Sequence, residues 1–242
     1  LNQKWRLEKS IIALSDTKKN GSESISKDKS SLILLKILDT NCIDPNFHLS
    51  NTNLLSYAIN NNYTDVVKKL LQFDVIDVNA IDPSTGNTPI FSAINRRTLE
   101  IFQLLAGHPK INLNYKNYTG YSVLEYAVLY GTIKFVELIL KNEKFIPNEN
   151  EINHAFYNSK NFEISKLFVD FKSLDVNFIP INDYDSKYTN VNNKEFIKSS
   201  LMKAIENDDD KLFDLIIQHP SFKIIKSELI NSILIAFKCN SI

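Results

Sequence analysis

The sequence has few cysteines and no excess of charge of either sign, and each of these features argues against a class of protein. Cys42 and Cys239 are the only cysteines among 242 residues and lie near opposite ends of the chain. A secreted fold held by disulfides would use more, so a reducing compartment is favoured. The 28 basic residues are matched by 28 acidic ones, for a formal net charge of +0. A protein that follows nucleic-acid phosphates carries a basic excess, so we expect no nucleic-acid partner.

Long hydrophobic runs are also missing. The best apolar stretches, residues 31–38 and 230–237, are far too short to span a bilayer. The N-terminus lacks the apolar core of a signal peptide. We therefore expect no membrane association and a cytoplasmic location, with the nucleus as a second intracellular possibility. The chain begins with Leu1 rather than Met, which suggests a segment of a longer protein, and its wealth of Asn, Lys and Ile is typical of an AT-rich, protist-like genome.

What the sequence does contain is a repeat with a period of about 34 residues. Each unit has a short segment ending in alanine, then an apolar segment at helical spacing, then a turn ending in asparagine. The three clearest units are 53–58, 65–71 and 76–79; 88–93, 100–105 and 111–114; and 122–127, 134–139 and 145–148. Each unit predicts a helical hairpin followed by a loop. One hairpin cannot bury both of its faces, so neighbouring hairpins must stack.

The second unit resembles the ankyrin repeat. Its residues read Gly86-Asn-Thr-Pro-Ile-Phe-Ser-Ala93, then Leu99-Glu-Ile, then Leu104-Leu105, then Asn112-Leu-Asn114, against the family pattern G-x-T-P-L-H-x-A-A, L-E-I-V-x-x-L-L and a V-N turn. The resemblance implies an all-α solenoid of about five to six stacked helix-turn-helix repeats. The departures, such as Phe91 in place of the family's histidine, imply a divergent and less stable array.

Local signals support the same helices without the family name. Thr88 followed by Pro89 predicts a helix start with a capping hydroxyl. The family's glycine between the two helices of a unit survives only as Gly131, with Asn62 and Arg97 at the equivalent positions. Glycine and asparagine there suit a positive φ.

Following the pattern outward predicts a single domain over residues 1–242. Its units are expected at about 1–47, 48–82, 83–117, 118–150, 151–195 with a long loop at 178–195, and 196–226, with a cap helix at 227–242. The first helix should cover residues 2–14 and bury Trp5, Leu7, Ile11, Ile12 and Leu14. Residues 15–30, rich in Ser, Lys, Asp and Asn, should form a flexible excursion.

No group of residues predicts catalysis, a cofactor or a metal site. The histidines, His48, His108, His154 and His219, are far apart, and none has the spacing of a metal-binding motif. His108 and His219 occupy matching turns, where a structural role is expected. Asp208-Asp209-Asp210 lies in a turn before a helix, where acids favour the helix start. The glycosylation patterns at Asn20, Asn62 and Asn117 fit chance in an asparagine-rich chain.

The resemblance implies a binding function instead. Proteins similar to this one bind their partners along the concave face made by the loop tips, called fingers, and the first helices. The matching positions are Thr52, Asn60, Asn61, Ser84, Thr85, Asn87, Asn95, Arg96, Tyr118, Tyr121, Leu129 and Tyr130. Tyrosine beside arginine is the composition of a binding hot spot. An alternative is that these rings only cover the neighbouring repeat.

The sequence therefore predicts a monomeric protein–protein interaction module without catalysis of its own, whose partner is another protein. The alternative is the regulatory or substrate-recruiting arm of a larger enzyme. The loop with Tyr184, Tyr188 and Asn192 is a second candidate surface.

Overall fold

The computed structural model describes residues 2–17, 27–49, 52–159, 162–179 and 199–223. The chain divides into two compact units, Leu1–Ile146 and Pro147–Ile242. The described part of each is built from helical hairpins. The cap helix expected at 227–242 and nearly all of the loop expected at 178–195 lie outside the described residues.

The first unit contains four consecutive pairs of helices. They are α1 (Asn2–Thr17) and α2 (Lys27–Asp39), α3 (Leu54–Asn60) and α4 (Thr64–Leu70), α5 (Pro89–Asn95) and α6 (Leu99–Gly107), and α7 (Val123–Tyr130) and α8 (Ile133–Leu140). Between α2 and α3 the strands β1 (His48–Leu49) and β2 (Thr52–Asn53) pair antiparallel, with His48 opposite Asn53. The second unit contains α9 (Glu149–Tyr157), α10 (Phe162–Ser165) with a 3-10 turn at Lys166–Phe168, α11 (Ser200–Glu206) and α12 (Asp210–Ile217).

The pairs of the first unit stack as the repeat predicts. The first helices α3, α5 and α7 pack in one row, and the second helices α2, α4, α6 and α8 pack in another. Ala58, Ala93 and Ala127 are completely buried, so small side chains let the first helices approach closely. In the second row, the rings of Phe102 and Phe135 meet edge to face with centroids 5.0 Å apart. The core is thus continuous from one hairpin to the next.

Helix α1 is longer than the pattern predicted, and only one of its expected core residues with a described side chain is buried: Leu7 and Ile12 are half-buried and Trp5 is exposed. It extends to Thr17, and α2 begins at Lys27, so the predicted excursion at 15–30 is wrong at both ends. Ile11 is fully buried whereas Trp5 is 57% exposed. On a helical wheel Trp5 lies about 120° from Ile11, and α1 packs its Ile11 side toward α2 and β1. The side chain of Leu14 lies outside the described residues.

Side-chain caps begin α3 and α7, whereas the N-cap residues of α4, α5, α6 and α8 make no side-chain capping bond. Ser122 and Glu125 form a reciprocal capping box at α7, and the Asn53 side chain accepts the Ser56 N–H at α3 at 2.7 Å. Thr88 has the backbone of an N-cap and Pro89 follows it at the first helical position, as predicted. The predicted capping hydroxyl is wrong, however, because Thr88 Oγ1 is buried without a hydrogen-bond partner.

The turn between the helices of a pair depends on where the first helix ends. Asn62 has φ 55°, as expected for asparagine, and Arg97 at the equivalent position has the same φ. Gly131 does not, with φ −86°, so the prediction of a positive φ there is wrong. Helix α7 continues to Tyr130, and the Gly131 N–H still bonds to Ala127 O at 2.9 Å. The linker to α8 is therefore one residue shorter and needs no left-handed residue.

In four repeats the asparagine at the end of the turn joins that repeat to the next, whereas Asn148, at the end of the third clear unit, caps α9 instead. The side-chain amide of each joining asparagine donates to a backbone carbonyl of the following repeat, and its oxygen accepts a backbone N–H two residues further on. Asn46, Asn79, Asn114 and Asn177 donate to the carbonyls of Val75, Lys110, Lys144 and Ser221 at 2.8, 2.7, 2.8 and 2.7 Å. They accept from the N–H groups of Asp77, Asn112, Ile146 and Lys223 at 2.8, 2.9, 2.7 and 3.0 Å. We call these four residues the asparagine ladder.

Candidate protein-binding surface

The residues predicted to bind a partner all lie in the first unit, and none of them is buried. Thr52, Ser84, Thr85, Asn87, Tyr118 and Tyr121 belong to the fingers, and Asn60, Asn61, Asn95, Arg96, Leu129 and Tyr130 lie at the ends of α3, α5 and α7. Because α3, α5 and α7 are neighbours in one row, the three helix ends follow one another in space. We call this set the finger surface.

The second finger, residues 81–88, is organised by one carboxylate. Asp82 Oδ1 accepts the N–H groups of Ser84 and Thr85, both at 3.0 Å, and their hydroxyls at 2.5 and 3.1 Å. Partial burial acts to raise the pKa of Asp82, but the four hydrogen bonds outweigh it and lower the pKa. Gly86, with φ 70°, completes the turn. The lowered pKa favours the charged carboxylate, and its Oδ1 holds the loop together.

The third finger, residues 115–122, packs against the second. Asn117 is buried, donates to Asn87 Oδ1 at 2.8 Å and accepts from Thr119 and Tyr121. The Tyr118 ring covers Gly86 so closely that a Cβ at Gly86 would overlap it. The amide of Asn117 thus serves packing, which agrees with a chance origin of its glycosylation pattern.

An aromatic cluster connects the third finger to α7. The rings of Tyr121 and Tyr130 meet edge to face at 6.4 Å, and those of Tyr126 and Tyr130 lie 4.6 Å apart. Tyr126 in turn packs on the buried Phe91 at 5.1 Å. Burial, followed by the neighbouring Tyr130, raises the pKa of Tyr126. Tyr126 was missed from the sequence, although its spacing of four from Tyr130 places both on one side of a helix.

The predicted tyrosines differ in how much of each ring is exposed. Tyr121 is half-buried in the cluster, whereas Tyr118 is 64% exposed and Tyr130 is 44% exposed. Beside them, Arg96 is exposed and its Nε donates to Asn60 Oδ1 at 3.3 Å. The finger surface therefore presents exposed phenol rings, the guanidinium of Arg96 bonded to Asn60, and several small polar side chains.

The histidines and acids that could suggest chemistry are used structurally. His108 Nδ1 accepts the Lys110 N–H and His219 Nδ1 accepts the Ser221 N–H, both at 3.2 Å. Burial, and then the charges of Lys110 and Lys144, lower the pKa of His108. These matching bonds brace the two turns in the way expected from their matching positions.

The acidic turn before α12 also has a structural use. Asp209 caps that helix by accepting the Leu212 N–H at 2.9 Å, and Asp208 takes the left-handed turn position with φ 53°. Within the described ranges, no three His, Cys, Asp or Glu side chains are grouped so that they could hold a metal ion. None of the helices described between residues 2 and 223 combines the length and apolar character that crossing a membrane requires.

Comparisons with known proteins agree on one family. The family model described as ankyrin repeats (3 copies) matches residues 25–117 and 55–153, which together cover more than half of the chain. Ankyrin repeat protein L371 of Acanthamoeba polyphaga mimivirus is 27% identical over 140 residues, which cover 56% of this chain and 18% of that protein. Human Rabankyrin-5 is 39% identical over 79 residues, which cover 33% of this chain and 7% of that protein. This chain thus spans less than a fifth of the length of either relative.

A solved structure shows the same fold. The crystal structure of EF0377, an ankyrin repeat protein, superimposes with a TM-score of 0.57 at 19% sequence identity, covering 77% of this chain and 96% of that one. At this identity the likeness concerns the fold alone. It agrees with the stacked helix pairs described above, and the family model covers the repeats in which those pairs were predicted. The chain therefore belongs to the ankyrin-repeat family.

Proposed function

We propose that this chain is a protein–protein interaction module that binds its partner on the finger surface and has no catalytic activity of its own. Ankyrin repeats are generally protein–protein interaction modules. The observation that carries the proposal is the pair of exposed rings of Tyr118 and Tyr130 in the same row of hairpins as the exposed Arg96. Tyr and Arg are enriched where partners bind tightly, because they offer large contact area and directional donors. We expect the module to act as a monomer in the cytoplasm or nucleus.

The repeat scaffold explains why this surface is suited to binding. The rings rest on elements that the core already holds in place, since Tyr118 lies on Gly86 and Tyr130 on Tyr126. A rigid aromatic surface loses little conformational entropy when a partner docks. The fingers add hydrogen-bonding groups, such as Ser84 and Asn95, that can match a partner's backbone. The loop with Tyr184, Tyr188 and Asn192 lies outside the described residues.

The test compares two pairs of exposed large side chains. The variant Tyr118→Ser/Tyr130→Ser removes the exposed rings of the finger surface. The matched control Val75→Ser/Ile146→Ser removes side chains that are 68% and 72% exposed in the turns after the second helices. Each protein is immobilised, and partners retained from a lysate of the native cell are quantified by mass spectrometry alongside the melting temperature.

We expect the tyrosine variant to lose partners that the wild type and the control both retain, at an unchanged melting temperature. Loss of the same partners in both variants would refute the finger surface as the docking site. A large fall in melting temperature on losing the two exposed rings would show that they serve packing. In that case Tyr118→Phe/Tyr130→Phe, which keeps the rings and removes their hydroxyls, separates packing from partner contact.

A further inference from the structure

The finger surface has an unbalanced charge although the whole chain is neutral. The segments that build it, residues 52–63, 82–97 and 116–131, contain three basic side chains, Arg96, Arg97 and Lys116, and two acidic ones, Asp82 and Glu125. All three basic side chains are exposed, and none makes an ion pair with a described residue.

The two acids of these segments are less accessible to a partner than the three cations: Asp82 is half-buried and Glu125 is buried. Asp82 accepts four hydrogen bonds inside the second finger. Glu125 is buried, and its Oε2 accepts the Ser122 N–H at 2.8 Å in the capping box of α7. One oxygen of each carboxylate is therefore bonded within its own segment, whereas the three cations are exposed.

Three cations of the second helices are paired with acids: Lys68 with Glu100 at 2.7 Å, Lys69 with Asp39 at 2.7 Å, and Lys134 with Glu137 at 3.1 Å. The exposed Lys36 of α2 makes no ion pair with a described residue. None of the ion pairs between described residues involves a cation of the finger surface. An exposed cation without a counter-charge adds nothing to folding, but it attracts an oppositely charged partner.

Arg96 has the geometry to receive a carboxylate. Its Nε is occupied by Asn60 Oδ1, which orients the planar guanidinium and leaves its two terminal nitrogens for one incoming group. Such a fork matches the two oxygens of a carboxylate. The equivalent position in the next repeat is Tyr130, so an apolar ring lies one hairpin further along the same row.

Building on the proposed function, we propose that the finger surface binds an acidic protein segment whose Asp or Glu carboxylates pair with Arg96 and Lys116 while apolar side chains contact Tyr118 and Tyr130. A single-stranded nucleic acid fits less well. Its bases need open ring faces, and here the rings of Tyr126 and Tyr130 pack on each other and that of Tyr118 covers Gly86. Three cations are also few for following a phosphate backbone.

The experiment uses a displayed library of random linear peptides selected on the wild-type chain. Peptides that lose binding to Tyr118→Ser/Tyr130→Ser are sequenced and resynthesised, and their affinities are measured by fluorescence anisotropy. We expect these peptides to be enriched in Asp and Glu over the input library. Their affinity should fall about three- to fivefold in Arg96→Gln and in Lys116→Gln, the range expected of single exposed ion pairs, and should weaken as salt is raised.

Lys134→Gln is the matched control, because Lys134 is an exposed lysine that is already paired with Glu137. It should leave peptide affinity unchanged. Charge reversal gives a second check: Arg96→Glu should regain affinity for peptides in which Lys replaces Asp and Glu.

The outcomes separate the two proposals. Peptides that depend on the tyrosines but carry no acidic enrichment and ignore Arg96→Gln and Lys116→Gln would overturn the acidic partner while leaving the docking surface intact. Selection of no tyrosine-dependent peptide would count against the docking surface itself. Binding of a fluorescent single-stranded oligonucleotide more tightly than any selected peptide would overturn the choice of a protein ligand.

Discussion

Replacing Asn79 in the asparagine ladder is the most direct test of how the repeats hold together. Its amide donates to Lys110 O at 2.7 Å and accepts from Asn112 N–H at 2.9 Å, so one side chain joins two consecutive repeats. Asn79→Ala removes both hydrogen bonds without creating a core cavity, because the side chain is only half-buried. The perturbation is therefore confined to the joint between the repeats.

The size of the effect follows from these two bonds. A hydrogen bond contributes about 0.5–1.5 kcal/mol net to folding, and water can partly replace partners that are accessible. We expect Asn79→Ala to lower the free energy of unfolding by about 1–2 kcal/mol. Stacked repeats are stabilised mainly by contacts with their neighbours, so the weakened joint should also reduce the dependence of unfolding on urea concentration.

The assay is urea denaturation followed by circular dichroism, with Asn95→Ala as control. Asn95 is exposed, and its side chain makes no hydrogen bond in the described structure; such surface changes stay within about 0.5 kcal/mol. Equal stability of the two variants would refute the role of the ladder. Asn79→Asp gives a second signature, because an ionised Asp keeps the acceptor but cannot donate to Lys110 O. Its stability should rise as pH falls and the carboxyl regains a proton.

Three further changes test particular features of the first unit. Thr88→Val removes a buried hydroxyl that has no hydrogen-bond partner, so the free energy of unfolding from urea denaturation should stay level or rise by up to about 1 kcal/mol. Ser122→Ala breaks the side-chain cap of α7 and should lower it by about 1 kcal/mol. A loss of stability in both variants would refute the distinction between the two hydroxyls. Arg97→Gly relieves a left-handed residue with φ 55° and should raise stability by about 0.5 kcal/mol, and a lower urea midpoint would contradict this. Burial, followed by the nearby Tyr63, raises the pKa of Tyr57 to about 12. The neutral phenol is therefore favoured in the fold over the unfolded chain with a pKa of about 10, so stability should hold below pH 10 and decline between about pH 10 and 12, less steeply in Tyr57→Phe.

The hairpins could be predicted because each part of a repeat shows its role in a few neighbouring residues. Ala58, Ala93 and Ala127 keep one period and are completely buried in the row of first helices. Pro89 and Asn62 work through backbone geometry that belongs to the residue itself. Such properties depend only on residues within about one turn of the chain, so they can be predicted without knowing which other segments pack nearby.

The predictions that were wrong concern residues whose contacts depend on another segment of the chain or on the length of the helix. Thr88 has the local features of a capping residue, yet packing leaves its hydroxyl unpaired. Trp5 has the apolarity of a core residue, but α1 packs on its Ile11 side. Gly131 lost its left-handed turn because α7 runs one residue longer than α5. In each case the deciding contact or helix length is set beyond the local pattern.

For the candidate site, the sequence alone determined which positions face outward at the fingers and helix ends, because the repeat period places them there. Only the tertiary structure decided which of those residues are exposed and which are bonded to their neighbours. Tyr121 packs in the aromatic cluster, whereas Tyr118 and Tyr130 remain exposed. Asp82 accepts hydrogen bonds within its own loop, and Arg96 bonds to Asn60 but makes no ion pair with a described residue. The physical reason is that exposure and pairing depend on atoms contributed by adjacent repeats about 34 residues apart, which no local pattern contains.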